Sequence, residues 1–140
     1  MVADHGQPGR EGNYIESSGS AMFVYTLLKG LRLGYISDVD VNTRFALSGT
    51  PSESGQEEEE GASTSITSFS EIATRAYSYI VQSFIVDNGN GTLGYNGTVS
   101  VCSLNSTASY EYYATRPINY NSVLGSAVFV PASLKYQKFS

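Results

Sequence analysis

The chain has no tryptophan, one cysteine and one histidine in 140 residues, and each shortage removes a class of reading. With Cys102 alone, no internal disulfide can close. With His5 as the single imidazole, no Cys/His metal set can be assembled. No metal or other cofactor is expected. Basic residues are also few: eight Lys and Arg stand against thirteen Asp and Glu, a net charge of −5. They are scattered rather than clustered, so the chain lacks the electrostatic footprint that a polyanion needs, and no nucleic-acid partner is expected. Long hydrophobic runs are missing as well. The longest, "AMFVYTLL", stops at Lys29, well short of the roughly 20 residues of a membrane span, and "MVADHGQPGREG" at the start has no apolar signal-peptide core. Neither a membrane span nor a signal peptide is predicted, and the location of the protein stays open.

What is present is 41% hydrophobic residues, enough for a core if the elements close on one another. Ala21, Tyr25, Leu28, Leu31 and Tyr35 recur at spacings of three and four and predict an α-helix. Ser17, Ser18 and Ser20 precede or open it and are candidate N-caps. Lys29 and Arg32 suit its negative end, and Gly34 is a plausible terminator. Met22, Phe23, Val24, Leu27 and Leu33 give this helix a second apolar face, so it expects cover from two sides. The same period returns at Ile72, Ala76, Tyr79, Ile80 and Phe84, predicting a second helix over 69–87 with Ser70 as cap and Glu71 in its first turn. Asn-Gly steps then favour turns, with Thr98, Val99, Val101 and Leu104 as strand-like material. A third apolar segment begins at Ser122. Pro131 inside it removes a hydrogen bond and crowds the carbonyl of Ala127, which predicts a kink or a break.

Between the first two helices the composition changes. Residues 38–68 are rich in Ser, Thr, Gly and Glu, with too few apolar residues to build a face, and they read as a disordered insert. Glu57 to Glu60 within it read as a solvated charge run.

Three stretches in this order, "GNYIESSGSAMFVYTLLKGLRLGYI", "ATRAYSYIVQSFI" and "YEYYATRPINYNSVLGSAVFV", resemble the C-terminal end of the family 105 glycoside hydrolases. These are the unsaturated rhamnogalacturonyl hydrolases, related to the family 88 glucuronyl hydrolases. The resemblance implies an all-α fold, an incomplete (α/α)6 barrel of the six-hairpin glycosidase type, represented here by about three helices and a short β-like hairpin. Residues 1–140 would then be a partial C-terminal portion of that domain. Inner helices of such a barrel are packed on both sides, and the loops leading into them line the mouth of the sugar site. Two departures stand out: the greater part of the toroid has no counterpart here, and the 38–68 segment replaces a connection of a few residues. That segment reads either as a surface loop or as translated intron.

The resemblance also implies a parent activity on oligosaccharides from rhamnogalacturonan, a pectin. An aspartic acid protonates the C4=C5 double bond of an unsaturated galacturonyl unit, water adds, and the product opens to release a rhamnose-containing sugar. No segment here matches the family's active-site acids, so no catalytic residue is assigned and the chain alone is expected to be inactive. The residues assigned to substrate binding are Glu16, Ser17 and Ser18 on the lip of the first helix, and Tyr110, Glu111, Tyr112 and Tyr113 in the tyrosine-rich stretch.

Read from the residues alone, these positions have plainer roles too. Glu16 and Glu111 are the pair a glycosidase mechanism would suggest, set against capping and salt-bridging. Tyr110, Tyr112, Tyr113 and Tyr120 either stack on sugar rings or pack between helix ends around Glu111 and Arg116. His5 and Arg10 either bind a carboxylate or belong to a solvated tail. Sequons at Asn90, Asn96 and Asn105 matter only if the parent is secreted. Two alternatives to the enzyme reading remain: a non-catalytic sugar-binding remnant, and a module that pairs its exposed helix faces with another chain or with itself.

Overall fold

The first helix, α1 (Ser17–Arg32), starts beside three serines, yet its cap is none of them. Glu16 stands in extended backbone and its carboxylate accepts the Gly19 N–H at 2.6 Å. Carboxylates reach the orphan donors of a first turn as hydroxyls do, and the positive pole of the helix favours them. The far end closes as expected. Gly34 takes φ +73°, its N–H bonds the Leu31 carbonyl, and Tyr35 N–H bonds the Gly30 carbonyl at 2.9 Å. This 5→2 and 6→1 pattern satisfies two end carbonyls and needs a residue without a Cβ penalty at position 34.

The computed structural model describes residues 9–38, 68–103, 105 and 109–139. The predicted insert at 38–68 lies outside the described residues, except for its two ends. Those ends meet: Asp38 Oδ1 accepts the Ser70 N–H at 2.9 Å.

The second helix, α2 (Phe69–Phe84), is capped by Ser68 rather than Ser70, with Ser68 Oγ accepting the Glu71 N–H. Glu71 sits in the first turn as predicted. The helix stops three residues earlier than its apolar period suggested. Ile85–Asp87 form strand β1, paired antiparallel with β2 (Leu93–Tyr95), so that Ile85 faces Tyr95 and Asp87 faces Leu93. The Asn-Gly-rich connection makes the turn between them. A second two-stranded ribbon pairs β3 (Thr98–Val99) with β4 (Ile118–Asn119). Val101 lies in no strand, and Leu104 is outside the described residues.

A five-residue helix, α3 (Tyr110–Ala114), capped by Ser109, precedes β4 and was not foreseen. The last helix, α4 (Val123–Phe139), runs through Pro131 without a break. A long helix with its neighbours in place can absorb one missing hydrogen bond, so the prediction of a break is corrected.

The fold is all-α apart from these two small ribbons, with three long helices and one short one among the described residues. α1 lies between α2 and α4 and packs on both. The core is built of Ala21, Val24, Leu28, Ala73, Ile80, Phe84, Tyr95 and Ala132. Small residues set the helix approach: Ala21, Ala73 and Ala132 are fully buried, and a Cβ on Gly30 would come within 2.7 Å of Ile36. Aromatic rings complete the packing on the other side. Tyr77 stacks on Tyr136 at 4.1 Å, and Phe129 stacks on Tyr95 at 4.8 Å.

Large apolar side chains nevertheless remain in solvent, Phe23 at 58% and Val123 at 79% exposure among them. Between α1 and α2 runs an apolar groove of about 610 Å³, floored by Val24 and Ile80 and walled by Phe23, Leu27, Ile72 and Tyr79.

Candidate functional site

The polar lip ahead of α1 is a closed set of hydrogen bonds. Besides the Gly19 N–H, the Glu16 carboxylate accepts Ser18 Oγ at 2.9 Å and the backbone N–H of Val99 at 3.2 Å. All its partners are donors, so both oxygens act as acceptors. Ser17 is fully buried, and its hydroxyl shares a 2.9 Å hydrogen bond with Thr98, while its N–H bonds the Gly97 carbonyl. Tyr95 donates its phenol to the Ser17 carbonyl at 3.1 Å. Burial pushes the Tyr95 pKa up to about 12, with the neighbouring Glu16 charge acting in the same direction. Tyr14 is raised likewise, first by burial and then by Glu16 and Cys102 beside it. The lip therefore clamps α1 to β3, and Ser17 and Ser18 serve that clamp.

The tyrosine-rich stretch forms a second set. Glu111 pairs with Arg10 at 2.9 Å, and the Arg10 guanidinium also lies 3.6 Å above the centre of the Tyr110 ring. Tyr110 donates its hydroxyl to the Glu11 carbonyl at 2.8 Å. Arg10 is thus committed to α3: of its two expected roles it takes the carboxylate-binding one, with Glu111 as the carboxylate, and the solvated-tail expectation is corrected; His5 lies outside the described residues. The Glu111 carboxyl is held below the usual range by its own backbone N–H, by Ser109 and by Arg10. Tyr112 and Tyr113 pack edge to face at 5.3 Å, and Tyr112 accepts the Ser103 N–H on its hydroxyl. Tyr120 points elsewhere, towards Asn88 on the β1–β2 turn.

The two sets meet through the β3–β4 ribbon. Val99 N–H reaches Glu16, Val99 pairs with Ile118, and Ser100 N–H bonds the Pro117 carbonyl two residues past α3 and its cap. The structure therefore links Glu16, Ser17 and Ser18 at the start of α1 to the segment after α3 through this ribbon, with Ser17 fully buried rather than open to a ligand. It does not make Glu16 and Glu111 alike: the first is buried as a cap and the second is an exposed ion-pair partner.

Arg116 was noticed in the sequence only as a neighbour of the tyrosines. Its guanidinium lies 5.1 Å from the Tyr112 ring centre, and its Nε is the one buried side-chain nitrogen or oxygen without a hydrogen bond among the described residues. Only the structure carries that signal. Among the described residues no three His, Cys, Asp or Glu side chains gather as a metal site, and no helix is long and apolar enough to cross a membrane.

Comparison with known proteins adds the context. The sequence model of Glycosyl Hydrolase Family 88 matches residues 5–65. Among solved structures, the chain is similar to a family 105 glycoside hydrolase from C. acetobutylicum ATCC 824. The two share 31% identity at a TM-score of 0.67 over 96% of this chain. The match spans 30% of that enzyme's length. No curated protein matches the chain in sequence.

Proposed function

We propose that this chain, which is related to the family 88 and family 105 glycoside hydrolases, is the part of such an enzyme that forms one rim of its saccharide site. The substrate class that fits the relationship is an unsaturated galacturonyl-rhamnose oligosaccharide from pectin. The single observation that carries the reading is the 31% identical match of nearly the whole chain onto the family 105 enzyme.

Within that reading the described residues supply binding and support, not the proton donor. A general acid for alkene protonation must be held protonated beside its substrate. The two described carboxyls whose pKa moves, Asp38 and Glu111, both move down towards the ionised form. Glu16 spends its oxygens on capping and on Val99. The aromatic rings of Tyr112 and Tyr113 suit a sugar ring, which presents an apolar face with hydroxyls at its edge, and the closed polar lip supports them from behind.

The test is a pair of measurements on the purified chain with an unsaturated galacturonyl-rhamnose disaccharide. Calorimetry is expected to record binding, and the absorbance of the double bond is expected to stay at its starting value. Turnover that disappears in Glu16→Gln or Glu111→Gln overturns the division of labour, and absence of binding overturns the rim.

A second reading is favoured by the groove between α1 and α2. Its Phe23, Leu27, Ile72 and Tyr79 walls form an apolar surface of the kind that receives a helix, and self-association through it fits the exposed faces of both helices. Sedimentation across a concentration series distinguishes the two: association that Phe23→Glu abolishes supports the helix-pairing module, and a monomer throughout removes it.

A further inference from the structure

We propose that Asn96 is a site of spontaneous deamidation, and that the isoaspartate formed there releases the first turn of α1. The inference concerns the clamp at the lip and holds whatever the chain binds.

Three Asn-Gly steps lie between β1 and β3: Asn88-Gly89, Asn90-Gly91 and Asn96-Gly97. A glycine after asparagine leaves the next peptide nitrogen unhindered, so that this nitrogen can attack the side-chain amide. At Asn96 the nitrogen of Gly97 forms a bond to Cγ and gives up its proton, the amide nitrogen leaves as ammonia, and a five-membered succinimide remains. Water then opens one of its two carbonyls. One opening gives aspartate; the other gives isoaspartate, whose main chain runs through Cβ and is longer by a methylene. Water is the only co-reactant.

Hydrogen bonding separates the three steps. Gly89 N–H donates to Asp87 Oδ1 at 2.8 Å, and the Asn88 amide is held at both ends, donating to Thr92 Oγ1 at 3.0 Å and accepting the Tyr120 hydroxyl. Nucleophile and target are both engaged there. Asn90 Oδ1 accepts the Thr92 N–H at 3.1 Å and the Thr92 hydroxyl at 2.6 Å, which fixes its amide towards residue 92. Asn96 differs from both. It is exposed, and neither its side-chain amide nor the Gly97 N–H makes a hydrogen bond among the described residues. No bond has to break before the nitrogen attacks.

The glycine cannot be dispensed with. Gly97 has φ +79°, and a Cβ there would come within 2.5 Å of the Phe84 ring and 3.2 Å of Ser17. The residue that lets the chain pass beneath α1 is therefore the one that leaves the nitrogen open.

An added methylene finds no slack at this place. Asn96 N–H bonds the Phe84 carbonyl at 2.8 Å, and the Gly97 carbonyl accepts the Ser17 N–H at 2.9 Å. The next residue, Thr98, shares the buried hydroxyl bond with Ser17. Isoaspartate lengthens the chain between the first of these anchors and the others, so one side must let go. Ser17 is fully buried, and polar groups stranded there are costly.

The experiment ages the whole chain in warm, mildly alkaline buffer. Peptide mapping with electron-transfer fragmentation tells isoaspartate from aspartate, and urea midpoints follow the same samples. Isoaspartate is expected at residue 96 at least about tenfold faster than at 88, where hydrogen bonds must open first, and faster than at 90. In the urea-unfolded chain the three steps should react alike. The midpoint should fall in proportion to conversion at 96. Asn96→Gln, whose longer side chain disfavours the cyclisation, should age without that fall, and fresh Asn96→Asp should keep the wild-type midpoint because it adds charge without the methylene. Isoaspartate appearing first at 88 or 90, or none in the folded chain while the unfolded chain reacts, overturns the site. A midpoint that stays level while residue 96 converts, or one already lowered in fresh Asn96→Asp, overturns the release.

Discussion

Ser17 and Thr98 share a buried hydrogen bond of 2.9 Å although 81 positions separate them in sequence. The bond joins the first turn of α1 to the β3–β4 ribbon, and α4 presses on the same point, since a Cβ on Gly125 would collide with the Thr98 hydroxyl. Three elements are thereby fixed at one place.

Thr98→Val keeps the shape and removes the hydroxyl, leaving Ser17 Oγ buried without its partner. The expected loss is about 1–3 kcal/mol in denaturant unfolding. A change under half a kilocalorie would mean that Ser17 finds another partner and that the pair is not a fixed point.

Glu16→Ala removes a cap and one of the bonds to β3 together. A lost N-cap alone costs about 0.5–2 kcal/mol, and Val99 N–H loses its acceptor as well. The midpoint should fall at least as far as for Thr98→Val, because two contacts are lost at once.

Both residues show where sequence reasoning reached and where it stopped. Residue period located α1 and α2, since Leu28 and Ile80 are buried where the pattern put them. It could not choose the caps: Glu16 lies outside the usual capping set, and Ser68 and Ser70 are chemically equal until the chain turns. It also ran α2 on into Ile85 and Val86, whose apolar side chains suit helix and strand alike. A partner strand with no nearby sequence signal decides between them. Helix contacts made by Gly125 and Ala132 were invisible for a different reason. Small residues allow close approach without contributing much hydrophobicity. The tyrosine-rich stretch was legible as a cluster, but the partner of Glu111 lay 101 residues away.

Tyr95 predicts an alkaline limb. Its folded pKa of about 12 exceeds the ordinary 10.0, so above pH 10 the unfolded chain releases a proton that the folded chain keeps. Stability contributed by this group is complete below pH 10 and declines as pH rises towards 12. Tyr95→Phe should flatten that decline and cost about 0.5–1.5 kcal/mol at neutral pH for the bond to Ser17. Urea midpoints at neutral pH and across the alkaline range measure both effects, and an unchanged alkaline slope in the variant rejects the assignment.

Glu111→Gln should leave the urea midpoint close to that of the wild type, because an exposed ion pair contributes little. Its folded pKa is depressed, so whatever the carboxylate contributes is present above the ordinary value of 4.5 and is lost as pH falls. A large destabilisation in the variant would give the Arg10–Glu111 contact a weight that its exposure denies it.

The Asp38–Ser70 contact brings both ends of the segment 39–67 together. Replacing that segment by a four-residue Gly-Ser link should leave helix content unchanged and raise stability by about 2 kcal/mol, at roughly 0.6 kcal/mol for each halving of loop length. A drop in circular dichroism at the helix band would show that the segment contributes more than closure.

The absence of tryptophan gives the aromatic column a further meaning. Tyr136, Tyr77, Phe129 and Tyr95 follow one another at ring separations of 4.1, 6.3 and 4.8 Å. Phenol chromophores held this close in one chiral arrangement exchange excitation and rotate near-ultraviolet light, whereas tyrosines in an open chain do neither. The rings come from α2, β2 and α4, so the column's share of the signal arises only when those three segments have met. The molecule thus carries an optical gauge of its own assembly, silent to helix formation and undiluted by any indole.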